Sequence, residues 1–168
     1  MGDNNIGLRG CTSLAKLLAN QDSGLERLYL NRNFIDDECA VVLADSLATN
    51  TKLKQMSMYE NKSIVTVLGW SSILNLVCKT SSIGNILDSN HTFHCVDYIR
   101  AMDAIRALGT DDANLLYASL GLNKEADKLL VARRKILWSH ARGNLNLGET
   151  AIDTSVMPRI LAWIGNNS

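Results

Sequence analysis

Leu25, Leu28, Leu30, Asn33 and Ile35 are echoed further along the chain by Leu53, Met56, Met58, Asn61 and Ile64. The first four pairs stand 28 residues apart and the last slips by one. A second pattern lies behind the first. Cys39, Leu43, Ala44 and Leu47 have counterparts 29 residues earlier in Gly10, Leu14, Ala15 and Leu18, with Asn5 and Ile6 just ahead of them. Self-similarity at such a period constrains a chain more than local propensity does. Each unit is too small to bury its own apolar face and must bury it against the next.

Within each copy the L-x-L alternation has the two-residue period of a strand. The stretch behind it holds positions at helical spacing: Val42, Leu43, Ser46 and Leu47 in one copy, Leu68, Ile73, Leu76 and Val77 in the next. Strand, turn and helix within 28 or 29 residues predict an α/β solenoid. Its parallel strands would stack on a concave face and its helices on the convex face. Leu25, Leu28, Leu30, Leu53, Met56 and Met58 would fill the space between. Asn33 and Asn61 are expected to hydrogen-bond backbone groups where each strand turns away. A weaker copy at Ile83, Ile86 and Phe93 predicts a third strand, with Asp88 in the third apolar slot and His91 in place of the asparagine.

The units L-x-x-L-x-L-x-x-N-x-I and G-x-x-x-L-A-x-x-L resemble leucine-rich-repeat proteins of the ribonuclease-inhibitor type, most specifically over residues 5–61. Cys39 departs from that pattern where Gly10 keeps it. The stretches SNHTF (89–93), LNKEADKLLVARRKIL (122–137) and MPRILAWIG (157–165) resemble the tails of leucine-rich-repeat proteins found in diatoms and related algae. The resemblance implies a repeat protein with a helical C-terminal cap and carries no biochemical role with it.

Two regions follow from this reading: repeats over 1–93, entered part-way through a unit as an N-terminally truncated array, and a capping region over 94–168. Without an upstream strand, Leu14 and Leu18 are expected to be exposed and the fold marginally stable. In the cap, Val96, Ile99, Met102 and Ile105 mark one helical stripe. Thr110 would cap a helix carrying Leu115, Leu116 and Leu120, with Asp111 and Asp112 in its first turn. Asn123 would cap a helix over 124–140 that buries Ala126, Leu129, Leu130, Ala132, Ile136 and Leu137. A loop over 141–150 precedes a last helix beginning at Asp153, Thr154 or Ser155, with Pro158 in its first turn and Ile160, Leu161, Trp163 and Ile164 packed.

Composition narrows the function. Lys plus Arg equals Asp plus Glu at 17 each, so overall charge points to neither nucleic acid nor membrane. The N-terminus lacks the apolar stretch of a secretory signal, Ile6 stands where a myristoylation motif needs Ser or Thr, and no run is long enough to span a membrane. Cys11, Cys39, Cys78 and Cys95 show no C-x-x-C spacing and read as reduced thiols of an intracellular protein, cytoplasmic or nuclear. His91, His94 and Cys95 have metal-like spacing but no visible fourth ligand, so no metal and no cofactor is expected. Nucleophile-elbow, P-loop, H-E-x-x-H and dinucleotide motifs do not occur, so no catalytic residue is assigned. Trp70, Trp138 and Trp163 lie beside apolar positions and are read as core.

The solvent-facing positions of the predicted strands are the remaining candidate site. Rows across the sheet would align Glu26, Lys54 and Gly84; Arg27, Gln55 and Asn85; Tyr29, Ser57 and Leu87; Asn31, Tyr59 and Ser89; and Arg32, Glu60 and Asn90. The expected function is a non-enzymatic protein–protein interaction module, monomeric, binding an unidentified partner through Arg27, Tyr29, Asn31, Arg32, Gln55, Ser57, Tyr59 and Glu60. Tyr and Arg are the side chains that most often concentrate binding energy. Two alternatives are a regulator of a small GTPase acting through Arg27 and Arg32, and, less favoured, a nucleic-acid binder acting through Arg133, Arg134 and Lys135.

Overall fold

Cys11, Leu14 and Leu18 recur on one side of a helix, and α1 (Leu8–Ala19) buries all three. The computed structural model describes residues 1–96 and 108–141. Helix α2 (Asp37–Leu47) begins where the Asp36 carboxylate accepts a hydrogen bond from the Cys39 N–H, with Asp37 and Glu38 in its first turn against the positive end of the helix. It buries Cys39, Ala40, Leu43, Ala44 and Leu47. Helix α3 (Val67–Val77) buries Trp70, Ile73, Leu74, Leu76 and Val77. Its start is tied to α2, because Asp37 Oδ1 accepts from the Thr66 N–H at 2.7 Å and the Gly69 N–H at 3.0 Å. Gly69 permits that approach: a Cβ there would stand 2.8 Å from Asp37 Oδ1 and 3.0 Å from the Ala40 Cβ. α1 packs on α2, and α2 on α3.

Between the helices run β1 (Arg27–Tyr29), β2 (Gln55–Ser57) and β3 (Cys95–Val96), a parallel sheet in that order. Leu28 stands opposite Met56, and Met56 opposite Val96. Leu28, Leu30, Leu53, Met56 and Met58 share one apolar cluster with the buried residues of α1, α2 and α3, and Leu25 packs against it. A short helix, α4 (Ile83–Leu87), leads towards β3. Helices α5 (Thr110–Leu122) and α6 (Lys128–Ala141) pack on each other, α5 also against α3 and α6 against α4.

The α/β solenoid expected from the repeat is corrected by these elements. Helices of 12, 11, 11, 5, 13 and 14 residues set against strands of three, three and two make the described chain a mostly helical fold with a minimal parallel sheet. Past the strand ends the backbones stay bonded for a few residues, Leu30 N–H to the Ser57 carbonyl and Arg32 N–H to the Tyr59 carbonyl, before the chain turns away. Arg32 and Glu60 take left-handed φ values of 56° and 54°, conformations that end an extended run. The third copy departs further. Residues 83–87 form a helix, whose Ser82 cap accepts from the Asn85 N–H, and the third strand comes only at Cys95. Serine two residues before glycine and asparagine starts a helix more readily than it extends a strand.

Other expectations are also revised. Leu14 and Leu18 are buried, since α1 turns its apolar stripe onto the shared core. Ile64 is 79% exposed, and Val65 packs inward instead. Gly109 rather than Thr110 precedes α5. Asn123 ends α5 instead of starting the next helix; the Asp127 carboxylate caps α6 by accepting from Leu129 and Leu130 N–H. Val96 belongs to a strand, while Ile99, Met102, Ile105, the loop beyond residue 141 and the last helix with Pro158 and Trp163 lie outside the described residues.

Candidate partner-binding face

Pairing of β1 with β2 sets Arg27 beside Gln55 and Tyr29 beside Ser57. Alternation within β1 buries Leu28 and turns Arg27 and Tyr29 to solvent, Tyr29 with 49% of its surface exposed. Gln55, Asn31 and Tyr59 are half-buried, and Arg32 and Glu60 are exposed. Ser57 is corrected: at 2% exposure it is part of the packed sheet and unavailable to a partner. The expected third column of Gly84, Asn85, Leu87, Ser89 and Asn90 is also absent from the sheet. Cys95 stands next to Gln55, because residues 83–87 are helical.

Charge on this face is mostly paired. Lys54 Nζ donates to Glu26 at 2.7 Å, and that ammonium holds the Glu26 carboxyl below the usual carboxylate range. Arg32 donates to Glu60 at 2.6 Å and to Asp3 at 3.4 Å, and Glu60, then Asp3, raise the guanidinium further. Asp3, Arg32 and Glu60 are also the non-glycine residues with positive φ among the described residues, so three like turns are stacked and joined by their own ion pairs. Exposed pairs of this kind add little stability, but they hold their side chains in place. The Arg27 guanidinium and the hydroxyls of Tyr29 and Tyr59 make no hydrogen bond or ion pair to the described residues. They are open polar groups of the face. Beside it, Lys62 Nζ stands 4.6 Å from the Phe34 ring centroid.

Asparagines hold the turns beneath. Asn61 Oδ1 accepts from the Asn33 and Ile35 N–H groups at 2.9 and 3.0 Å, while its amide donates to the Leu30 and Met58 carbonyls. Asn33 does the same one turn earlier, accepting from the Ile6 N–H and donating to Leu30, Asn31 and Met1 carbonyls. A second series, which the repeat alignment missed, holds the opposite edge. Asn50 accepts from Lys52 and Leu53 N–H and donates to the Leu18 carbonyl. Asn90 likewise accepts from Thr92 and Phe93 N–H and donates to Leu47 and Asn50 carbonyls, so it belongs with Asn50 and not with the Asn33 and Asn61 series in which His91 was expected. Asn123 then donates to the Asn90 and Phe93 carbonyls. The spacing N-x-x-L at 50–53 and N-x-x-F at 90–93 was the available signal.

The other candidates are dispersed. His94 Nδ1 lies 3.0 Å from the Thr92 carbonyl and His91 Nδ1 faces Lys135, so the two rings serve different neighbours. No cluster of three His, Cys, Asp or Glu among the described residues could hold a metal. Trp70 is buried and Trp138 packs against the core. Lys135, expected on a solvated basic face, is fully buried, and Arg134 faces Glu125 at 3.5 Å. The 133–135 run is thereby split between interior and surface. Cys11, Cys39 and Cys78 are free, buried thiols; burial, reinforced by Cys39, pushes Cys11 up to about 12. No helix among the described residues is long and apolar enough to cross a membrane.

Compared with known proteins, the chain matches no family model, and no curated protein is significantly similar to it.

Proposed function

We propose that this chain is a non-enzymatic interaction module that binds a protein partner on the exposed face of its short parallel sheet. The observation that carries the reading is Tyr29, held half-exposed beside Arg27 on a strand fixed by its pairing with β2, while the neighbouring charges neutralise one another. A rigid aromatic ring next to an open guanidinium is the kind of pair that concentrates binding energy. Gln55, Asn31 and Tyr59 border it with polar groups. The module works as a monomer inside the cell, in the cytoplasm or nucleus, a placement supported by the free thiols of Cys11, Cys39 and Cys78. The matching hydrogen bonds of Asn33 and Asn61, 28 residues apart, support descent from ribonuclease-inhibitor-type repeats.

Replacing Tyr29 with a photoreactive analogue tests the site. In cells it should crosslink a discrete partner that the same analogue at Asn75, on the exposed side of α3, does not capture. Arg27→Glu should abolish that crosslink. Identical capture from both positions, or capture indifferent to Arg27→Glu, would overturn the assignment.

A further inference from the structure

Lys135 is a lysine with no exposed surface. Its Nζ donates to the Val77 carbonyl at the end of α3 and stands 3.1 Å from Nδ1 of His91, in the segment between α4 and β3. One turn along α6, Ser139 Oγ lies 3.8 Å from Sγ of Cys78, the residue that ends α3. Val131, Ala132 and Ile136 are buried on the same helix. Helix α6 is therefore seated on the end of α3 by a small polar cluster within apolar surroundings. The titratable groups that act on Lys135 among the described residues are His91, Cys78 and Lys128. None is a carboxylate.

We infer that α6 is docked by a proton-sensitive latch, in which the uncharged Lys135 amine fits the seat formed by Val77, Cys78 and His91 and its ammonium form loosens it. An amine can donate to the Val77 carbonyl and offer its lone pair to a His91 Nδ1–H, placing no charge in the seat. Among the described residues an ammonium there has no carboxylate to pair with, and protonation of His91 would set a second cation 3.1 Å away. Burial accordingly pushes the lysine from 10.5 down to about 7. Once α6 lifts off, the amine regains its ordinary value. Between pH 7 and 10.5 the open state thus holds one more proton than the docked state, so docking tightens as pH rises through that window. The linked change approaches tenfold per pH unit, and this group contributes no slope below about pH 7.

Hydrogen exchange of the amides of residues 131–139 at pH 7, 8 and 9 reads the opening. In the wild-type chain the protection factors should rise by up to about tenfold per pH unit. In Lys135→Met they should be flat and no lower than wild type at pH 7. Equal slopes in the two proteins would overturn the latch. A direct titration of lysine Cε by NMR needs no folded variant: a Lys135 midpoint near 7 supports the inference, and one near 10.5 ends it.

Discussion

Asn61→Ala isolates the contribution of one amide to the fold. The side chain forms four hydrogen bonds, two accepted from Asn33 and Ile35 N–H and two donated to Leu30 and Met58 carbonyls. Truncation leaves both N–H groups without an acceptor in a part-buried turn. An orphaned buried donor costs about 1–3 kcal/mol, and carbonyls, which have a second lone pair, suffer less. Two donors at a part-buried site then give a loss of about 3 kcal/mol. With a urea m-value of about 2 kcal/mol/M, the unfolding midpoint should fall by about 1.5 M with the slope unchanged. Asn75→Ala, on an exposed turn of α3, is the matched control and should move stability by less than about 0.5 kcal/mol. A loss below about 1 kcal/mol for Asn61→Ala would mean that water replaces the amide and that the asparagine series does not hold the turns.

Three further outcomes follow from the packing. Gly69→Ala should destabilise by about 1–3 kcal/mol, because its Cβ would meet Val65 at 2.5 Å and Ala40 at 3.0 Å, whereas Gly121→Ala, open on all sides within α5, should stabilise by up to about 1 kcal/mol in thermal unfolding. Glu60→Gly should be tolerated better than Glu60→Ala by up to about 1 kcal/mol in the same assay, since φ at 54° suits glycine and strains alanine. The Cys11 thiol, buried and pushed up to about 12, should resist alkylation at pH 8 in the native protein and react on unfolding; rapid native labelling would show that α1 opens readily.

Much of the interior was legible from spacing. Leu28 and Met56, placed 28 residues apart in like contexts, do face each other inside the sheet, and Asn33 and Asn61 do bond the turns. The extent of the strands was not legible, because alternation over three positions marks a direction of side chains and says nothing of where the backbone leaves the ladder. That point is set by left-handed turns at Arg32 and Glu60, residue types with no turn preference of their own. On the binding face, Tyr29 and Arg27 were readable as outward residues. Ser57 was not, since its burial depends on what stands either side of β2.

Helix α6 draws the line between the two kinds of information. The segment 128–141 carries enough apolar and straight-chain residues to be helical on its own pattern, and a helix it is. Its apolar residues admit more than one buried side. Of the expected side, Ala132 and Ile136 are buried, but Leu129 and Leu137 are exposed, and Val131, Lys135 and Ser139 are buried in their place. Sequence settled the element, because periodicity is a property of neighbours along the chain. Tertiary structure chose the face, because only contact with the Val77 carbonyl, Cys78 and His91 supplies partners that make a buried amine and hydroxyl tolerable.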